Sequence, residues 1–237
     1  MIGLPHVHHR TTDSTNARAR DLAASGAPHG TLVTAAEQTA GRGRQGRTWL
    51  AAPGEALLMS VVVRELNPVL PLATAVAVAE SCDALAPDAQ ALIKWPNDVW
   101  LDGRKVSGIL VEGRPQEGWA VLGVGLNVRT ERFPVELSAI ATSLTLHGSH
   151  ASVADALVEL AQRLEHWLAA PAGQVLAAWS DRDALRGQRI RWDGGSGVAA
   201  GVSETGALVV ELDGGGEAAL DAGEVHLSSG GSALPKS

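Results

Sequence analysis

The character of this 237-residue chain changes once, at Arg186-Gly187, and that change limits the folds open to it. Before it, apolar runs with strand and helix spacing alternate. After it come only short β-type runs punctuated by glycine turns: Gln188 to Trp192, Val198 to Ser203, Ala207 to Leu212, Glu217 to Leu220 and Glu224 to Leu227. A β unit of about 40 residues buries too little surface to stand alone, so a small barrel packed on the larger part is expected. The divisions read from the sequence are residues 1–185, residues 186–228, and a flexible Ser/Gly-rich tail at 229–237.

In the larger part, Asp13-Ser14-Thr15-Asn16 is a run of capping residues that opens a helix closed by Gly26. The alanine-rich pattern from Leu70 to Leu85 predicts a second helix, with Cys82 inside it as a buried small hydrophobe rather than a nucleophile. Ala91 to Trp95 reads as a strand that Pro96 ends. Val99 to Leu101 and Val106 to Glu112 read as a hairpin turning at Asp102-Gly103, and Trp119 to Val128 as a further strand. Ser152 caps an amphipathic helix with Val153, Leu157, Leu160, Leu164 and Trp167 or Leu168 on one face, and Gly173 to Leu185 reads as another helix.

Between two strand-like runs, Thr31 to Glu37 and Ala56 to Arg64, lies Gly41-Arg42-Gly43-Arg44-Gln45-Gly46-Arg47-Thr48-Trp49. It alternates glycine with guanidinium and holds no acid, in a chain whose formal net charge is -7. Glycines let backbone N–H groups approach a ligand, and arginines present planar forks to phosphate or carboxylate, so the loop reads as an anion-enclosing element. The acidic balance of the whole speaks against general nucleic-acid binding. No apolar run nears the roughly 20 residues that span a bilayer. The first residues lack the pattern of a secretion signal, and a single cysteine rules out an internal disulfide framework, so a cytoplasmic location is expected. His6, His8 and His9, without acidic or cysteine partners, are expected to be solvated rather than metal-bound.

Other segments carry polar chemistry that is weak taken singly. Gln38 precedes the basic loop. Lys94-Trp95-Pro96-Asn97-Asp98 joins a cation, an amide and a carboxylate at a strand end. Lys105 follows the Asp-Gly turn, and Gly123-Val124-Gly125-Leu126-Asn127 puts glycines inside a strand, where something must come close.

In this order, these motifs resemble the biotin protein ligase family. The match runs from Ser14-Thr15-Asn16 through Gln38, the loop with Arg47 and Trp49, Lys94 to Asp98, Arg104-Lys105-Val106-Ser107-Gly108-Ile109-Leu110-Val111-Glu112 and Gly123 to Asn127, and ends at Ala141-Thr142-Ser143-Leu144. The resemblance implies an α/β (α+β) fold: a mixed sheet flanked by helices, like the catalytic domain of class II aminoacyl-tRNA synthetases, with a C-terminal SH3-like barrel. It implies that biotin and ATP, with Mg²⁺, give biotinoyl-5'-AMP and pyrophosphate, and that the biotinoyl group then passes to a lysine of a carboxylase's biotin carboxyl carrier domain.

The same resemblance implies residue roles. Ser14, Thr15, Asn16 and Gln38 would line the biotin pocket, together with Gly108, Gly123 and Gly125, whose strand would approach the ligand closely. Arg42, Gly43 and Arg44 would close on biotin and the phosphates, and Lys105 would bridge the biotin carboxylate and the α-phosphate. Arg42, Arg44 and Lys105 are then the catalytic cations. Arg44, Arg47, Trp49, Lys94, Asn97 and Asn127 would serve the nucleotide, with Asp98 holding Mg²⁺, and Arg129 to Ala139 would order over the adenylate. Two departures matter. Gln45 stands where some members have arginine, which bears on retention of the intermediate, and only 13 residues precede Ser14, which points to the form without a DNA-binding head. Lipoate or octanoate ligation, a biotin-dependent repressor and an inactive biotin-binding protein are the competing readings. Monomer or homodimer is left open.

Overall fold

The computed structural model describes residues 1–221 and 223–228, so the expected tail at 229–237 lies outside the described residues. The larger part is built on a seven-stranded sheet. In chain order its elements are β1 (His6–His9), α1 (Thr15–Ala24), β2 (Leu32–Ala35), β3 (Ala56–Val63), α2 (Leu70–Leu85), β4 (Ala91–Lys94), β5 (Asp98–Leu101), β6 (Arg104–Arg114), β7 (Trp119–Asn127), α3 (Val135–Ser138), α4 (Val153–Ala169) and α5 (Ala172–Ser180). The sheet order is β1-β2-β3-β7-β6-β5-β4, and every neighbouring pair is antiparallel except β1 and β2.

Alternation along the central strands assigns each face its helices. Met59 and Val61 of β3 and Leu122, Val124 and Leu126 of β7 join the main core with α2 and α4. Val62 and Val121 point the other way, with Val33 and Trp119, against Ala19 and Ala23 of α1. The α1 face is the one that carries Ser60, Gly123, Gly125 and, across the β6 register, Gly108. Helix α1 covers only part of it, and small residues floor the remainder.

Local signals explain most boundaries. The β5–β6 hairpin turns at Asp102 (φ 48) and Gly103 (φ 73), both left-handed, as the Asp-Gly pair demands. Helix α4 starts with a capping box in which Ser152 Oγ accepts from Asp155 N at 3.1 Å and the Asp155 carboxylate accepts from Ser152 N at 2.9 Å. Cys82 is fully buried, and desolvation drives its thiol pKa up, which fits a small hydrophobe.

His6, His8 and His9 lie in β1, with His6 and His8 exposed to solvent as expected, and His6 Nε2 and His8 Nδ1 each sit within hydrogen-bond distance of Thr34 Oγ1 (2.8 and 2.9 Å). One helix boundary needs correction. The last helix stops at Ser180 instead of Leu185, because the residues after it pair with β4 at the sheet edge: Ile93 N donates to Arg182 O at 2.7 Å and Ala184 N to Ile93 O at 3.0 Å. That pairing satisfies backbone groups an edge strand otherwise leaves open.

The C-terminal unit comprises β8 (Arg189–Trp192), β9 (Gly195–Val202), β10 (Leu208–Leu212), β11 (Glu217–Leu220) and β12 (His226–Leu227). They form a five-stranded antiparallel sheet, ordered β11-β10-β9-β8-β12. Strands β11 and β12 are its edges and do not pair with each other among the described residues, so it is an open sheet where a barrel was expected. It docks as anticipated on the larger part: Ile190, Ala199, Leu208 and Val210 share the main core, and Trp95 Nε1 donates to Gly206 O at 3.1 Å.

Candidate active site

Sequence alternation makes the floor of the site. Gly108 of β6 and Gly125 of β7 are cross-strand partners, and together they leave a flat platform on the α1 face. The Trp49 ring lies on it: a Cβ at Gly125 would fall 2.4 Å from Trp49 Cε2, and one at Gly108 would fall 2.9 Å from Trp49 Cζ3. Gly123 plays the same part for Asn16, whose Oδ1 would stand 2.0 Å from an added Cβ. The side chains of Trp49 and Asn16 lie over these glycines, which also line the cavity.

The polar end of the site is the N-terminus of α1. Ser14, Thr15 and Asn16 are all buried, and Ser14 makes no side-chain cap bond to the helix, so its hydroxyl is not consumed by capping. Gln38 Oε1 takes over that work, accepting from Thr15 N at 2.7 Å and lying 3.0 Å from Thr15 Oγ1. Ser60 Oγ sits 2.8 Å from Thr15 Oγ1 and 2.6 Å from Asn16 Oδ1, while Asn16 Nδ2 donates to Glu112 Oε2 at 2.8 Å. Sequence reasoning missed Ser60 and Glu112. Ser60 is the one polar residue in the apolar run of β3, which was the available signal.

The basic loop is a narrow hairpin. Arg42 bridges Thr48, Gly43 N donates to Arg47 O at 2.7 Å and Trp49 N to Gly41 O at 3.1 Å. Gln45 (φ 54) and Gly46 (φ 75) take left-handed conformations at its tip. The hairpin separates the site from a wider cleft of about 1010 Å³ that reaches Leu72, Trp95 and Thr205 to Ala207.

Below the hairpin the charges converge. Lys105 Nζ pairs with Asp98 Oδ1 at 2.6 Å and lies 5.7 Å from the centroid of the Trp49 ring. Lys94 Nζ lies 5.3 Å from the centroid of Trp100. Burial lowers the pKa of Lys94 and of Arg44, and in both cases the neighbouring carboxylates Asp98 and Glu224 pull the other way. Glu224 arrives from the C-terminal unit and pairs with Arg47. No local signal marks it, because the contact joins residues 177 positions apart.

All the site residues proposed from the sequence line one cavity of about 560 Å³. That is the size of a small-molecule pocket. Two of them also hold the scaffold: Asn97 Nδ2 donates to Ile109 O and Asn127 Nδ2 to Thr142 O, each at 3.0 Å. Phe133, Leu137 and Ile140, from the segment expected to cover the adenylate and its end, complete the wall. That segment contains the single turn of α3.

Comparison with known proteins gives this geometry a family. The model of the Biotin/lipoate A/B protein ligase family matches residues 8–128. The chain belongs to that family. It is 39% identical over 236 residues to the biotin–[acetyl-CoA-carboxylase] ligase of Mycobacterium tuberculosis, covering 91% of this chain and 86% of that protein. It is 40% identical over 155 residues to the bifunctional ligase/repressor BirA of Bacillus subtilis, a match that takes in 61% of this chain and spans 47% of that relative. Among solved structures, the biotin protein ligase from Aquifex aeolicus in complex with biotin and ATP superposes with a TM-score of 0.83 at 26% identity, covering 94% of this chain and 99% of that one. The matched family segment takes in α1, the basic hairpin and β3 to β7, which supply most of the cavity lining.

Proposed function

We propose that this chain is a biotin protein ligase. It condenses biotin with ATP to biotinoyl-5'-AMP and pyrophosphate, and then transfers the biotinoyl group to a lysine of a biotin carboxyl carrier domain. The observation that carries the reading is the convergence of Arg42, Arg44, Arg47, Lys94 and Lys105 on a cavity whose other end is lined by small hydroxyls and amides. The first reaction sets a carboxylate oxygen against the α-phosphorus, two anions that repel. It therefore needs fixed cations, and it needs no base because a carboxylate is ionised near neutrality.

In this reading Ser14, Thr15, Asn16 and Gln38 hold the ureido ring, which offers one carbonyl acceptor and two N–H donors to a matched set of side chains. Lys105 stands between the reacting carboxylate and phosphate, with Arg42 and Arg44 closing from the hairpin. Trp49, Arg47, Lys94, Asn97 and Asn127 serve the nucleotide, and the hydrophobic side chains Phe133, Leu137 and Ile140 keep water from the mixed anhydride once it has formed. As the Pα–O bond to pyrophosphate breaks, the carboxylate oxygen bonds to phosphorus. In the second step the lysine amine attacks the acyl carbon, AMP leaves and the amine loses a proton.

Asp98 would hold the Mg²⁺ that accompanies the nucleotide. Lys105 engages Oδ1 of that carboxylate, and one carboxylate suits an ion that completes its shell with phosphate oxygens and water. When bound, the ion offsets phosphate charge.

Support for biotin over lipoate comes from the polar end, where the Ser14 hydroxyl makes no cap bond to the helix and a dithiolane ring would offer it no partner. Pyrophosphate release by the purified protein with ATP and either biotin or lipoate tests the choice. Release with biotin, followed by an added biotinyl mass on one lysine of a co-incubated carrier domain, is expected. Turnover of lipoate without biotin would overturn it.

A further inference from the structure

One buried contact outside the cavity reaches the central cation. Thr142 is fully buried, and its backbone does two things: its N–H donates to Lys105 O at 2.8 Å, and its carbonyl accepts from Asn127 Nδ2 at 3.0 Å. Lys105 N donates to Ile140 O at 2.8 Å, so the backbone of Lys105 is gripped on both sides by residues 140–142. That short stretch also ends the segment that walls the cavity with Leu137 and Ile140. The side chain of Thr142 is held in turn by His147, whose Nε2 lies 3.0 Å from Thr142 Oγ1. On its other edge His147 Nδ1 faces Asp102 Oδ2 at 3.4 Å, and the imidazole is only 7% exposed. Asp102 is the tip of the β5–β6 hairpin, three residues before Lys105.

These contacts close a ring that runs from Lys105 to Thr142, His147, Asp102 and back along β6 to Lys105. We infer that His147 is a positioning residue for the adenylation step, acting on Lys105 through Thr142. The inference rests on the ligase reading given above. The imidazole suits the place because its two nitrogens address two partners at once. A carboxylate beside Nδ1 favours the tautomer with the proton there, which leaves Nε2 to accept from the threonine hydroxyl. Without the ring nitrogen, a fully buried hydroxyl loses its partner and the stretch that grips Lys105 is free to shift. A shift of about 1 Å in a group aimed at the reacting atoms costs up to about 100-fold in rate, so a partial loss of grip is readable in kcat.

The test follows pyrophosphate release by the full chain at saturating biotin and ATP. His147→Ala and Thr142→Val are each expected to lower kcat by about 10-fold while the KM for biotin, whose ureido ring is held at the far end of the cavity, stays within about twofold. The double variant should show no further loss, because both changes cut the same link. Glutamine reaches the position of Nε2 and asparagine that of Nδ1. His147→Gln should therefore restore kcat to within about threefold of the parent, and His147→Asn should not. Equal deficits in the two amide variants would mean that the ring only fills space, and near-parental kcat in both Thr142→Val and His147→Ala would also overturn the inference. If His147→Ala does not fold, the Gln and Asn variants with Thr142→Val decide. A parent that makes no pyrophosphate from biotin sinks the ligase reading instead. Hydrogen exchange at the Lys105 amide then reads the grip directly: faster exchange in Thr142→Val and His147→Asn supports it, and unchanged exchange ends it.

Discussion

Lys105 Nζ lies 2.6 Å from Asp98 Oδ1, so the cation at the centre of the cavity is already paired with the carboxylate that faces it. Removing the lysine takes away the cation paired directly with Asp98, at the place where the proposed reaction brings a carboxylate and a phosphate together. Lys105→Ala is expected to slow pyrophosphate release by about 100-fold or more. The pair is partly solvated, so the thermal midpoint should fall by no more than about 4 °C. Near-parental turnover in the variant would remove Lys105 from its assigned role.

Trp49 rests on the Gly108–Gly125 platform, and the proposed function assigns it to the nucleotide. Trp49→Ala should raise the KM for ATP about 10-fold or more and the KM for biotin much less, since base stacking on an aromatic ring is worth roughly 1–3 kcal/mol. Equal increases for both substrates would contradict the nucleotide assignment.

Asn16 occupies the room that a side chain at position 123 needs, at a separation of 2.0 Å from the would-be Cβ. Gly123→Ala should displace the Asn16 amide from Ser60 and Glu112, destabilise the fold by about 1–3 kcal/mol and weaken biotin binding. Adding Asn16→Ala should recover stability but not biotin affinity. Urea denaturation and calorimetric titration with biotin separate the two outcomes.

Lys94 is a half-buried cation whose pKa is lowered, chiefly by desolvation. A base whose folded-state pKa lies below its unfolded value costs stability at low pH, and the cost vanishes as pH rises from the folded pKa to the unfolded one. Lys94→Met, which keeps the stem, should therefore be more stable than the parent at pH 7, by about 1 kcal/mol. That advantage should shrink as the pH approaches the ordinary lysine value of 10.5. Nucleotide affinity should fall at the same time. Guanidinium melts across pH 7 to 10.5 check the sign, and an advantage that grows with pH would refute it.

Much of this architecture is legible in the residues. The bounds of α2 match the alanine-rich pattern from Leu70 to Leu85, and the Asp102-Gly103 turn takes the left-handed angles that its two residues favour. The polar motifs at strand ends were legible one by one, because turn chemistry is local, but only the family resemblance gathered them into one site. What was not legible depends on distant chain segments. Strand β1 lacks a strong β signal and exists because β2 offers it a parallel partner, aided by Thr34 between two imidazoles. The early stop of α5 follows from an edge strand that Arg182 to Ala184 can pair with. Glu224 enters the cavity only because the C-terminal sheet docks where it does.

The interlock between Asn16 and Gly123 also sets a rule for redesign. Any attempt to re-shape this cavity for a bulkier or differently functionalised vitamin analogue must treat a helix position and a strand position as a single choice. A library that varies Asn16 alone explores only residues small enough to share the groove above a bare backbone, whereas one that varies both together can trade volume across the sheet surface without opening a hole.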